Sequence, residues 1–331
     1  MSELALTAVA ALWGAAAGLF VPRAAYRFAV EPDETWRDSC PAGHTITGPA
    51  KGWLGFARCG TCTAGEPPVR EDSAGAAPGD TERDASEGAA PGDAERDASA
   101  GAAPGDPVRD ASAGAAPGDP VREDSAGAAP GDAERAASAS VPSYGPASVP
   151  SYGPSTPLVS LATALLCAAL ALATGTRPEL GVWLLLAPLG VLLAVVDFKV
   201  QRLPDALTLS LAAAALALLG VAAAVPEHAG EWLTALFGAL ALGGAYFVLF
   251  LINPNGMGFG DVKLVLGLGA VLGWYGWSVV FLGTFAGFLF GALYGAGLVV
   301  ARRAGRKTSI PFGPFLIAGA YAGLLIGAYA A

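Results

Sequence analysis

The chain has 331 residues, 53% hydrophobic and only 14% charged, with 45 glycines and a positive mean hydropathy. Soluble domains usually carry about 25% charged residues, so a single ordinary soluble globule is excluded. The formal charge of −9 belongs to one segment, because residues 66–138 hold 17 of the 28 acids and 6 of the 19 bases. The remainder is weakly basic, and it has no basic patch of the kind that nucleic-acid binding needs.

Taken in order, Met1-Ser2-Glu3 precedes an apolar run from Leu4 to Val21, and Arg23 and Arg27 follow it. A secretory signal would place basic residues before the run. Basic charge after it puts the N-terminus outside and the next segment in the cytoplasm. Residues 1–22 are therefore expected to form a retained transmembrane helix. Residues 23–65 are polar, with Trp36, Trp53, His44 and three cysteines, and are expected to fold as a small cytoplasmic module. In a reducing compartment, Cys40, Cys59 and Cys62 are better read as metal ligands than as disulfide partners. Free thiols without an ion are the alternative.

At about residue 66 the composition changes. Ala-Pro-Gly-Asp recurs with its proline at 78, 91, 104, 117 and 130, a strict spacing of 13. Val141-Pro142-Ser143-Tyr144-Gly145-Pro146 then repeats at 149–154. This composition is too poor in large apolar residues to bury a core, so residues 66–157 are expected to be a disordered linker.

Residues 158–331 are almost continuously apolar. A membrane span needs about 20 such residues, and candidates lie near 158–175, 180–197, 206–224, 233–252, 262–275, 278–300 and 310–330. The expectation is an all-α polytopic membrane protein of about eight transmembrane helices. Alternating the loops from an external N-terminus puts Lys199, Arg202, Lys263, Arg302, Arg303, Arg306 and Lys307 inside and Arg177 outside, as the positive-inside rule requires. The same alternation sends Glu179, Glu227 and Glu231 outside. Asp197, Asp205 and Asp261 all fall at cytoplasmic ends of spans.

Acids at a membrane edge are costly and are functional candidates. Asp205 follows Pro204 at the start of an apolar run, the place of an N-cap. Asp197 ends a helix, where the dipole disfavours an anion, and is the better partner for Asp261. Asp261 lies in Gly256-Met257-Gly258-Phe259-Gly260-Asp261-Val262-Lys263. There Gly258 and Gly260 permit close backbone approach, and Lys263 is a candidate to orient or balance Asp261. Two carboxylates sharing a site titrate as a coupled pair. The ionised member takes a proton from water while the protonated one polarises a carbonyl.

Asp197 followed by Pro204-Asp205, then Gly258-x-Gly260-Asp261-x-Lys263, and Pro311-Phe312-Gly313-Pro314-Phe315 resemble the type IV prepilin peptidases. These are intramembrane aspartic peptidases of the Gly-x-Gly-Asp class. The resemblance implies that Asp197 and Asp261 are the catalytic pair and that no cofactor is needed for cleavage. It implies as substrates the precursors of type IV pilins or pseudopilins, cut behind a short basic leader at the cytoplasmic face of the cell membrane. Larger members carry two Cys-x-x-Cys pairs implied to bind zinc. Here the second cysteine of the first pair aligns with Gly43, and His44 could complete a Cys₃His set with Cys40, Cys59 and Cys62. Such members also methylate the new N-terminus with S-adenosylmethionine. Where they have a Ser-Phe-Leu-Asn-like stretch, this chain reads Gly18-Leu19-Phe20-Val21-Pro22. A bifunctional peptidase and N-methyltransferase is one alternative, weakened by that departure. An ion- or proton-coupled transporter is another, weakened by the absence of a midplane acid and of inverted repeats. A non-catalytic scaffold for pilus or secretion assembly is a third.

Overall fold

The computed structural model describes residues 3–30, 34–64, 152–254, 256–301 and 311–331. The expected linker falls outside the described residues up to residue 151, as do Arg302, Arg303, Arg306 and Lys307. Among the described residues the fold is all-α, and the one extended pairing is an isolated antiparallel bridge between Ser39 and Thr45.

The first apolar run makes α1 (Glu3–Gly18) and then α2 (Val21–Phe28), which together form one candidate span. The expected single helix over 1–22 is therefore interrupted and extended. Pro22 has no N–H to continue the ladder of α1, yet it is well suited to the first turn of a new helix. The bundle continues with α3 (Thr156–Thr174), α4 (Glu179–Val200), α5 (Asp205–Ala223), α6 (Trp232–Ile252), α7 (Phe259–Gly273), α8 (Trp277–Val300) and α9 (Gly313–Ala330).

Seven helical stretches among the described residues are long and apolar enough to cross a membrane, where eight were expected. The difference is α7, with 15 residues. At 1.5 Å per residue it reaches only about 22 Å, short of a hydrocarbon core of about 30 Å. It is also deeply buried, with Leu264, Val265, Ala270 and Leu272 all at most 2% exposed. It packs mainly on α5 and α6 and also touches α8 and α9. Glycine allows the α6–α7 approach. A Cβ at Gly269 would lie 2.5 Å from the Gly238 carbonyl oxygen, and one at Gly238 would lie 2.5 Å from that of Gly269. Such small-residue seams are how membrane helices come close without a hydrophobic driving force between them. α8 packs chiefly on α9 and turns Phe281 and Phe285 outward, as lipid-facing positions do.

The N-terminal module is clamped to α2 by two buried guanidiniums. Arg23 Nε donates to the Gly52 carbonyl at 2.8 Å; Arg27 donates to the carbonyls of Arg37 at 2.8 Å and Lys51 at 2.9 Å. Arg27 also lies 4.0 Å from the centre of the Trp53 ring, a cation–π contact. Tyr152, on the far side of the repeat tract in sequence, joins the same small core as Cys40, Ile46, Ala57 and Cys59. Its N–H donates to the Ala57 carbonyl at 3.2 Å, and its ring sits 4.8 Å from that of Tyr26.

Candidate active site

Three chain breaks meet at one end of the bundle. α4 ends in a residue of left-handed conformation, Gln201 (φ 50°, ψ 36°). Pro204, which is extended, then starts α5. Gly258 is the N-cap of α7, and Asp261 is the third residue of that helix, its N–H donating to the Gly258 carbonyl at 3.0 Å. Phe312 precedes α9. Together they enclose a cavity of about 430 Å³ lined by Asp197, Leu203, Gly258, Asp261, Pro311 and Phe312 among others. That volume suits a small-ligand or peptide-segment site.

Asp197 and Asp261 come from different helices and are only 4% and 8% exposed, yet both line this cavity. Each is placed by helix-end chemistry. Asp261 lies in the first turn of α7, where amide dipoles favour an anion. Asp197 sits at the unfavourable end of α4, and the compensation comes from another helix. The Gly313 N–H, at the start of α9, donates to Asp197 Oδ2 at 3.0 Å.

The neighbouring candidates take other roles. Asp205 was expected to be an N-cap. The N-cap is instead Pro204, which has no side-chain capping bond, and Asp205 is the first residue of α5. Its carboxylate pairs with Lys263 Nζ at 2.6 Å, so Lys263 balances Asp205 rather than Asp261. Lys263 Nζ also lies 4.7 Å from the centre of the Phe259 ring. The pair lines the same cavity, with the Asp205 side chain 65% exposed. A Cβ at Gly260 would lie 3.0 Å from Leu203 Cβ, so the missing side chain there lets the first turn of α7 pack against the loop before α5. Gly258 has no such neighbour: a Cβ there would come no nearer than 3.9 Å to Asp261 Oδ2.

The module contains a second constellation. The ligand atoms of Cys40, His44, Cys59 and Cys62 all lie within 4.8 Å of one another. His44 Nδ1 is 3.2 Å from Cys62 Sγ and 3.8 Å from Cys40 Sγ, and Cys40 Sγ is 3.7 Å from Cys62 Sγ. Sulfur ligands about 2.3 Å from a tetrahedral zinc lie roughly 3.8 Å apart, so the donor set fits that ion. The cysteines form no disulfide. Burial and hydrogen bonds with Cys59 and Cys40 push the Cys62 thiol up to about 12. Burial acts on Cys59 in the same sense, but hydrogen bonds from Thr61, Cys62 and Cys40 outweigh it and bring that thiol down to about 6. Zinc would be held by all three sulfurs as thiolates. Cys167 lies apart, fully buried in α3 against Gly14 of α1, as a packing residue.

The type IV leader peptidase family matches residues 184–296, a stretch that holds both aspartates. A prepilin leader peptidase/N-methyltransferase of Pseudomonas aeruginosa is 35% identical over 179 residues, 52% of this chain and 58% of that protein. Its counterpart in Aeromonas hydrophila is 37% identical over 172 residues, with the same coverage of 52% and 58%. The Bacillus subtilis protein of that name is 32% identical over 173 residues, 52% of this chain and 66% of its own length. The chain thus spans little more than half the length of the first two relatives. No solved structure matches it. With the Asp197 and Gly-x-Gly-Asp261 motifs inside the matched stretch, residues 184–296 are a type IV leader peptidase domain.

Proposed function

We propose that the protein is a prepilin leader peptidase that removes the short basic leader of type IV prepilins or pseudopilins with Asp197 and Asp261 as its catalytic dyad. One observation carries the reading: two buried aspartates from separate helices line a single cavity at one end of the bundle. Two carboxylates in one such site share a proton. The ionised member takes a proton from water, whose oxygen attacks the scissile carbonyl carbon. The protonated member gives its proton to the carbonyl oxygen, forming a gem-diol. Collapse of that intermediate breaks the C–N bond, and the leaving amine recovers a proton from the dyad. Asp205, Lys263, Pro204, Gly258 and Gly260 shape the cavity rather than react.

The reading places residues 1–22 as the first span, 23–65 as a cytoplasmic module, 66–157 as a linker and 158–331 as the peptidase domain. The protein sits in the cell membrane as a multi-pass chain, its N-terminus outside and its cavity and module facing the cytoplasm. Cys40, His44, Cys59 and Cys62 would hold zinc as a structural ion of the module. A second reading, cleavage coupled to N-methylation by S-adenosylmethionine, is favoured by the names of the relatives. Labelled S-adenosylmethionine decides it: methyl incorporation into cleaved product supports the bifunctional enzyme, and none removes it. For the peptidase, membranes containing wild type, Asp197→Asn or Asp261→Asn are incubated with a precursor pilin. Cleavage by wild type alone is expected; processing by both variants would overturn the dyad.

A further inference from the structure

We infer that Gly313 is a positioning residue for this chemistry: its backbone N–H fixes Asp197 Oδ2 in place, leaving Oδ1 as the oxygen that exchanges protons. The inference rests on the dyad reading and deepens it.

The first-turn amides of a helix lack partners within the helix. In α9 that turn contains Gly313, Pro314 and Phe315. Proline has no N–H to offer. The Phe315 and Leu316 amides already donate to the Phe312 carbonyl, at 3.1 and 3.2 Å. Gly313 therefore holds the one uncommitted amide of this turn, and that amide donates to Asp197 Oδ2 at 3.0 Å. The Pro-Phe-Gly-Pro sequence thus makes a single-donor helix end, aimed at a carboxylate 116 residues away in sequence.

Residue 313 also has no room for a side chain. A Cβ at position 313 would lie 2.7 Å from Asp197 Oδ2, 3.2 Å from its Cγ and 3.4 Å from Leu203 Cδ1. The first distance is below what real contacts allow. Any side chain would therefore move the carboxylate away from the amide that holds it. Alanine at 313 and loss of the N–H should have the same outcome through different causes: a rotated Asp197 whose Oδ1 no longer meets the attacking water. A displacement of about 1 Å in a reacting group costs on the order of 100-fold in rate.

The test uses the full-length protein in membranes with a precursor pilin. Gly313→Ala is measured beside Leu203→Ala, the double variant, Asp197→Asn, and a protein carrying glycolic acid at 313. That last replacement turns the N–H into an ester oxygen and adds no side chain. We expect Gly313→Ala and the ester to lower kcat by about 100-fold, with KM within about threefold and the pH–rate profile displaced. Leu203→Ala should not restore Gly313→Ala. Rescue by Leu203→Ala would make Gly313 a packing glycine and overturn the inference. So would wild-type kcat and pH profile in the ester protein, which decides the matter alone if Gly313→Ala fails to accumulate. If Asp197→Asn remains active, the dyad reading fails and the inference fails with it. If Asp197→Asn is dead while the ester protein behaves as wild type, the inference alone fails.

Discussion

Helix α4 carries a buried acid in its first turn, Glu179, and another near its last, Asp197; 18 residues of helix separate them by about 27 Å. The two differ little in burial, at 0% and 4% exposed. Their surroundings differ completely. Glu179 Oε1 accepts from the Tyr275 hydroxyl and the Ala229 N–H, both at 3.4 Å, and lies 3.9 Å from the Arg177 guanidinium. Trp183 in turn donates to the Tyr275 hydroxyl at 3.3 Å. Asp197 accepts one amide bond and faces a cavity shared with a second acid. Burial does not by itself separate a structural carboxylate from a reactive one. What surrounds it does: donors to Oε1 and packed rings at Glu179, space for a substrate at Asp197.

The sharpest way to break that contrast is to neutralise each end. Asp197→Asn or Asp261→Asn is expected to cost at least ~10³-fold in kcat while the melting temperature holds or rises, since each removes a like-charge conflict. Glu179→Ala should do the reverse. Removing the buried member of this half-buried pair, together with its hydrogen bonds to Tyr275 and Ala229, costs about 1–3 kcal/mol, visible as a lower Tm, while kcat per folded molecule stays near wild type. A Glu179→Ala protein with unchanged Tm and no activity would dissolve the distinction. A smaller effect is expected from chelation. Stripping the ion proposed for Cys40, His44, Cys59 and Cys62 should change Trp36 and Trp53 fluorescence and leave leader cleavage largely intact. Smallest of all is Asp205→Asn. Its exposed pair with Lys263 is of the kind worth about 0–1 kcal/mol, so cleavage should fall by no more than about threefold in a rate assay; full loss would move Asp205 into the reacting set.

The sequence revealed the helices because hydrocarbon imposes one strong signal, the long apolar run. Charge alternation then brought Asp197, Asp205 and Asp261 to one end without any coordinates. What it could not reveal were partners chosen by tertiary contact. Lys263 is two residues from Asp261, but the fold gives it to Asp205. Arg23 and Arg27 read as topology signals, yet both are buried against carbonyls whose direction no local pattern encodes. The apolar composition of α7 marks it as a span like the others, and composition does not say how fully neighbouring helices will cover it. Gly313 did leave a trace: a glycine between Phe312 and Pro314 at a helix start leaves a single free amide, and that is legible once the question is where the amide goes.

Tyr152 and the Cys59–Cys62 turn share one small core, although residues 65–151 lie between them in sequence. The described residues flanking the tract are thus held together in one core, so the number of residues between them is uncoupled from the register of α3. In the polymer limit, one 13-residue unit more or less in a segment of this length changes closure entropy by only roughly 0.1 kcal/mol. Repeats are prone to slip during replication, and here the fold has little means of noticing. Alleles that differ by whole units should therefore encode proteins with indistinguishable membrane domains, and selection on unit number, if found, would have to act through something the tract itself touches.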